Sequence, residues 1–155
     1  MKRSHIVVGA VLLALGAGAA AWVIFPRGAS TGKADPQNAA QVAAGEQVYA
    51  AQCARCHGDK LQGEPDWMQK KPNGRLPAPP HDANGHTWHH PDNQLFGMVK
   101  NGVTPYAPAG YLSDMPAFGA FLSDDQIWAV LAYIKSSWPE EIRERQRGFT
   151  LRADK

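Results

Sequence analysis

Cys53-Ala54-Arg55-Cys56-His57 is the stretch that decides how this chain is read. C-x-x-C-H is the pattern of a c-type haem attachment site. Two thiols at this spacing suit addition across the two vinyl groups of one haem as thioethers. His57 then lies under the iron, with a ring nitrogen free to coordinate it. Other uses of paired cysteines fit less well. A dithiol redox pair belongs to a βαβ setting, and no strand-like alternation flanks the motif. Zinc takes four ligands from Cys and His, and Cys53 and Cys56 are the only cysteines, which excludes four-sulfur and three-sulfur sites. A disulfide across two residues would be strained. One covalently bound haem c is the expected cofactor. The rest of the chain must supply a second axial ligand, a dry wall and a path for electrons.

Upstream of the motif, Asp35-Pro36 reads as a helix start, a capping side chain followed by Pro at the first helical position. A helix is expected from Gln37 to about Gln52, with Val42, Gly45, Val48 and Tyr49 at three- and four-residue spacing. Gly45 costs about 1 kcal/mol against Ala inside a helix, which points to another helix crossing closely there. Further upstream, Ile6 to Phe25 is a run of twenty residues without charge, preceded by Lys2 and Arg3. At about 1.5 Å per residue such a helix spans a hydrocarbon core of roughly 30 Å. Ala19-Ala20-Ala21 offers a signal cleavage site, but Trp22-Val23-Ile24-Phe25 continues the apolar run past it. The expectation is an uncleaved anchor with its amino terminus in the cytoplasm. Pro26 to Lys33 reads as a flexible linker.

Downstream, Gly58 to Gly85 is broken by Pro65, Pro72, Pro77, Pro79 and Pro80. No long helix or strand fits, and a loop of this length is unusual unless it wraps something. Trp67, Met68 and Leu76 are candidates for apolar wall, and Arg75 for a haem propionate, against the commoner outcome of a surface arginine. His81 to His90 then holds four of the six histidines. Histidine ligates copper and zinc, so His86, His89 and His90 form a speculative second metal site, against the plainer reading of a solvated loop at the haem edge. Pro91 to Gln94 opens a short helix to about Lys100, stopped by Asn101-Gly102.

For the second axial ligand there are four methionines. Met1 is on the wrong side of the membrane. Met98 sits in a helix and reads as core. Met68 is only 11 residues from His57 and would have to turn quickly to the opposite face. Met115, 58 residues after His57, is the best candidate, because Pro116 stiffens its loop and a helix follows. A Met/His pair raises the potential. With both axial positions filled no open site for substrate remains, so the expectation is electron transfer by a protein that is not an enzyme. Ser123-Asp124-Asp125-Gln126 is a capping box. It opens a helix whose stripe is Ile127, Val130, Leu131 and Ile134. Pro139 ends this helix, Glu140 to Arg147 adds a turn or two, and Gly148 to Lys155 frays.

The formal net charge of +2 is unevenly spread: from residue 34 onward 12 basic residues face 14 acidic ones. That is no nucleic-acid footprint.

Together these features resemble a class I cytochrome c, from about Ala34 to Trp138. Gly45-x-x-Val48-Tyr49-x-x-x-Cys53-x-x-Cys56-His57-Gly58 is similar to that family's first helix and haem motif. Met115-Pro116-x-Phe118 resembles its methionine loop, and Ile127 to Ile134 its last helix. The resemblance implies an all-α cytochrome c fold of three to four helices around one haem, here preceded by a single transmembrane helix. It implies that Gly45 and Tyr49 sit where the first helix crosses the last near Tyr133. It also implies a proline carbonyl, of Pro79 or Pro80, that accepts a hydrogen bond from His57 Nδ1. The expected segments are 1–26 anchor, 27–34 linker, 35–147 haem domain and 148–155 tail. The expected function is single-electron transfer by a monohaem cytochrome facing the periplasm from a bacterial inner membrane. Its partner would be a redox protein or a membrane respiratory complex or oxidase. The rival readings are a copper-handling accessory using the His81–His90 cluster, and a haem sensor or enzyme with a displaceable Met115.

Overall fold

The computed structural model describes residues 32–155, so the anchor expected over 1–26 lies outside the described residues. Among those described, no helix is long and apolar enough to cross a membrane. They fold into five α-helices joined by short 3₁₀ turns and irregular loops, with no strand among them. The expected three to four helices become five because the haem motif forms its own short turn and the carboxy terminus forms a full helix.

Helix α1 runs from Ala39 to Val48. Its cap is Asn38, not Asp35: the extended Asn38 accepts a hydrogen bond from the Gln41 amide on its side-chain oxygen at 3.1 Å. Asp35 instead closes a turn, taking the Gln37 amide at 2.9 Å. The helix does not continue regularly to Gln52. Tyr49–Cys53 is π-helical, and helix α2, Ala54–His57, follows it. A π turn inserts an extra residue and rotates everything after it about the axis, a device found often at functional sites. Here it re-aims the whole haem motif. Sequence periodicity does not reveal it, because five residues are too few to show a change of period.

Helix α3 spans Asp92–Asn101, as its flanking Pro91 and Gly102 suggest. Helix α4 spans Asp124–Ser136. Its capping box is fully formed: Ser123 Oγ accepts from the Gln126 amide and Gln126 Oε1 from the Ser123 amide. Helices α1 and α4 cross at Gly45, where a Cβ would overlap the Ala129 carbonyl. One turn on, the Tyr49 and Tyr133 rings stand 5.3 Å apart. Val48, Tyr49, Ile127, Val130 and Leu131 seal the crossing from solvent.

Helix α5, Glu140–Ala153, corrects the expectation of one or two turns and a frayed tail. Its partner is a buried polar group. Asp92, in the first turn of α3, accepts both carboxylate contacts of Lys135 Nζ, at 2.9 and 2.8 Å. It also accepts Gln146 Nε2 at 2.6 Å, and its amide donates to Thr150 Oγ1 at 3.1 Å. One carboxylate thus ties together α3, α4 and α5.

Candidate haem site

A cavity of about 370 Å³ lies between α2, the long loop 58–86, α3, the Met115 loop and α4. Cys53, Cys56, His57 and Met115 all line it, although Met115 is 58 residues from His57 in sequence. Its remaining wall is mostly apolar, with Leu76, Leu95, Val99, Phe118, Leu131 and Ile134. An apolar slot with a few convergent donor groups is what a flat prosthetic group requires.

His57 is buried, at 7% exposure. Its Nδ1 stands 2.8 Å from the Pro79 carbonyl oxygen. A carbonyl only accepts, so Nδ1 carries the proton and Nε2 keeps its lone pair. Burial pushes the His57 pKa down, outweighing the Pro79 bond and the nearby Glu64 carboxylate, which act upward. The ring is therefore a neutral ligand-type imidazole. Between the two prolines, Pro79 has the carbonyl that faces His57. The Pro80 carbonyl instead takes Thr87 Oγ1 at 3.4 Å. Gly63 makes the first contact accessible. Its φ is +68°, and a Cβ there would collide with the Ala78–Pro80 backbone. Its amide also returns to the His57 carbonyl at 2.7 Å.

The Cys53 thiol is pushed up to about 11 by burial and by the adjacent Cys56. Dithiol redox centres need the opposite, a lowered thiol pKa.

The other expected residues divide. Leu76 lines the cavity, but Met68 is 73% exposed and Trp67 stacks on His86 at 5.4 Å. Arg75, expected at a propionate, is not among the residues lining the cavity. Its Nη1 donates to the Ser113 carbonyl at 2.7 Å and pairs with Asp114 at 2.8 Å, which braces the Met115 loop. Cations that do line the cavity are Arg55 and Lys71, the latter paired with Glu64 at 3.2 Å. Met98, read from sequence as core, also lines the cavity from α3. The three histidines proposed as a second metal site do not share one. His86 and His90 line the cavity with ring centres 5.5 Å apart. His89 turns the other way, edge-on to Trp88 at 3.8 Å and towards Phe149 on α5. Among the described residues no group of three or more His, Cys, Asp or Glu is arranged to hold an ion. A 3₁₀ turn over Thr87–His89 splays the side chains, which spacing alone could not reveal.

A family model described as cytochrome c oxidase, cbb3-type, subunit III, matches residues 40–134. The chain belongs to this c-type cytochrome family. Its cofactor is covalently bound haem c, and its chemistry is haem-based electron transfer. The match covers α1 to α4 and stops short of α5. A curated relative, thiosulfate dehydrogenase of Stutzerimonas stutzeri strain A1501, is 34% identical over 104 residues, 65% of this chain. The chain spans only 29% of that relative's length. This relative carries the name of an enzyme, which overturns the expectation of a protein that is not an enzyme. The inference failed because it treated a filled axial position as the absence of catalysis, whereas a cytochrome domain also occurs within an oxidoreductase. No solved structure matches the chain significantly.

Proposed function

We propose that this cytochrome is a monohaem electron-transfer unit with His57 and Met115 as axial ligands, held at a bacterial inner membrane with its haem domain on the periplasmic side. The observation that carries the reading is one apolar cavity lined by both cysteines, His57 and Met115. When bound, the haem supplies a one-electron Fe(II)/Fe(III) couple. The chain's own residues do the rest. Cys53 and Cys56 fix the group covalently. Pro79 holds His57 in the tautomer with Nε2 free to ligate. Arg75 ties the loop carrying Met115, so its thioether is held in place. The leucine, valine and isoleucine wall excludes water. Support for the tether is the charge-free run Ile6 to Phe25 behind Lys2 and Arg3, and a tether gives high effective concentration near a membrane partner. The family description favours a respiratory complex or oxidase as that partner.

Carbon monoxide added to the reduced full-length protein tests the ligation. We expect slow or negligible binding at neutral pH; prompt stoichiometric binding would mean an open or displaceable sixth position.

A second reading is favoured by the named relative: the same domain passes on electrons taken from thiosulfate. Mixing the oxidised protein with thiosulfate tests it by the appearance of the reduced spectrum. No reduction would leave the first reading alone standing.

A further inference from the structure

His81 is the histidine of the 81–90 run that neither the haem motif nor a metal site uses. Its ring stacks on His57, with centroids 4.0 Å apart and planes within 24°. It is held from several sides. Nδ1 is 2.8 Å from Thr87 Oγ1. Its amide donates to the Leu61 carbonyl at 2.7 Å, and its carbonyl accepts Trp138 Nε1 at 2.7 Å. Trp138 is itself 2% exposed and closes the end of α4. His81 is thus anchored to the haem-motif loop and to the last core helix at once, and its ring lies flat against another ring.

A hydrogen bond to Pro79 fixes the His57 tautomer but leaves the ring able to rock about the axis through its two nitrogens. A flat neighbour in van der Waals contact removes that freedom. We infer that His81, locked by Thr87 and Trp138, is a positioning residue that sets the ring plane of His57 and donates electron density to it. This rests on the reading of His57 as an axial ligand. Groups around a ligating histidine both orient it and tune the metal it binds. A polarisable ring stacked on His57 stabilises the more positive, oxidised centre, whereas an aliphatic side chain there would not.

Three variants of the haem-loaded full chain separate the parts of this role. His81→Leu removes the ring. His81→Phe keeps a flat ring and loses the Thr87 bond. Thr87→Val keeps His81 and loses its lock, along with the long Thr87 bond to the Pro80 carbonyl. Two readouts respond to ring plane and electron density, not to folding alone: the spread of hyperfine-shifted haem methyl signals in the oxidised protein, and the midpoint potential. We expect His81→Leu to change the methyl spread and raise the potential. His81→Phe should stay closer to wild type in spread, and Thr87→Val should move the spread in the sense of His81→Leu but less. Wild-type spread and potential in both His81→Leu and Thr87→Val would overturn the inference. Should His81→Leu fail to fold, Thr87→Val with the wild-type spread would overturn it by itself. A His57→Ala variant that keeps the wild-type methyl spread would show that His57 is no ligand, and would remove the underlying reading as well. Unchanged His81 and Thr87 variants beside an altered His57→Ala would remove the positioning role alone.

Discussion

Tyr49 shows how a single residue links packing to pH. Its phenol is sealed at 2% exposure and its OH donates to the Gly58 carbonyl at 2.9 Å, next to His57. Burial, with the neighbouring Tyr133, raises its pKa well above the ordinary tyrosine value. A group whose folded pKa is raised contributes stability that is complete below the unfolded pKa and is lost as pH rises towards the folded one. Stability should therefore hold through neutral pH and fall once the pH passes about 10. Tyr49→Phe should lose about 1 kcal/mol at neutral pH from the missing hydrogen bond and show a shallower alkaline fall. Urea unfolding curves from pH 7 to 11 would check this, and an equally steep fall in the variant would place the alkaline titration elsewhere. Residues of this kind were partly legible in sequence. Cys53, Cys56 and His57 were readable because covalent attachment demands fixed spacing; Met115 and Met98 both line the same cavity, so elimination among four methionines does not by itself choose between them. That Met98 faces the cavity and that Arg75 braces the Met115 loop was not legible, because which way a loop or helix side chain faces depends on contacts dozens of residues away.

At the level of elements, the crossing of α1 and α4 was legible from one glycine. Gly45 in a run of good helix formers made sense only if another backbone came close, and the Ala129 carbonyl does. Gly45→Ala tests this with opposed terms. Helix propensity favours Ala by about 1 kcal/mol, but the added methyl must push α4 away, and overpacking costs typically 1–3 kcal/mol. Since the obstacle is backbone and not a flexible side chain, we expect a net loss in denaturant unfolding; a gain would contradict the close crossing. Helix α5 was not legible in the same way. Pro139 reads as a stop, the following segment is mixed in charge, and its attachment is polar. That attachment depends on Asp92, 54 residues before Gln146. The Lys135 and Asp92 side chains are only 9% and 15% exposed. Removing one partner of a buried pair leaves the other uncompensated and costs about 3–5 kcal/mol. Asp92→Ala should lose roughly 3 kcal/mol of stability and increase amide exchange in α5 first. Uniform exchange across α1 and α5 would mean that Asp92 does not anchor that helix in particular. The π turn at Tyr49–Cys53 was illegible for another reason: it changes helix phase without changing composition.

The molecule as a whole is built around one cavity that draws ligand groups from distant parts of the chain. Family membership settles covalent haem c and electron transfer, and the architecture explains how a chain without strands among its described residues encloses a flat group. A π turn re-aims the attachment motif, a proline-rich loop wraps the space, and α4 closes the far wall. The central claim above that level is that Met115, and not Met98 on the same cavity wall, completes the coordination opposite His57. The direct measurement is a potentiometric titration of the haem-loaded full chain beside Met115→Ala and Met98→Leu. Axial ligands set haem potentials over roughly 0.8 V, and loss of a thioether ligand lowers the potential. The account predicts a single one-electron wave for wild type, a fall by a sizeable part of that range in Met115→Ala, and little change in Met98→Leu. An unmoved wave in Met115→Ala, or the large fall appearing in Met98→Leu instead, would contradict it.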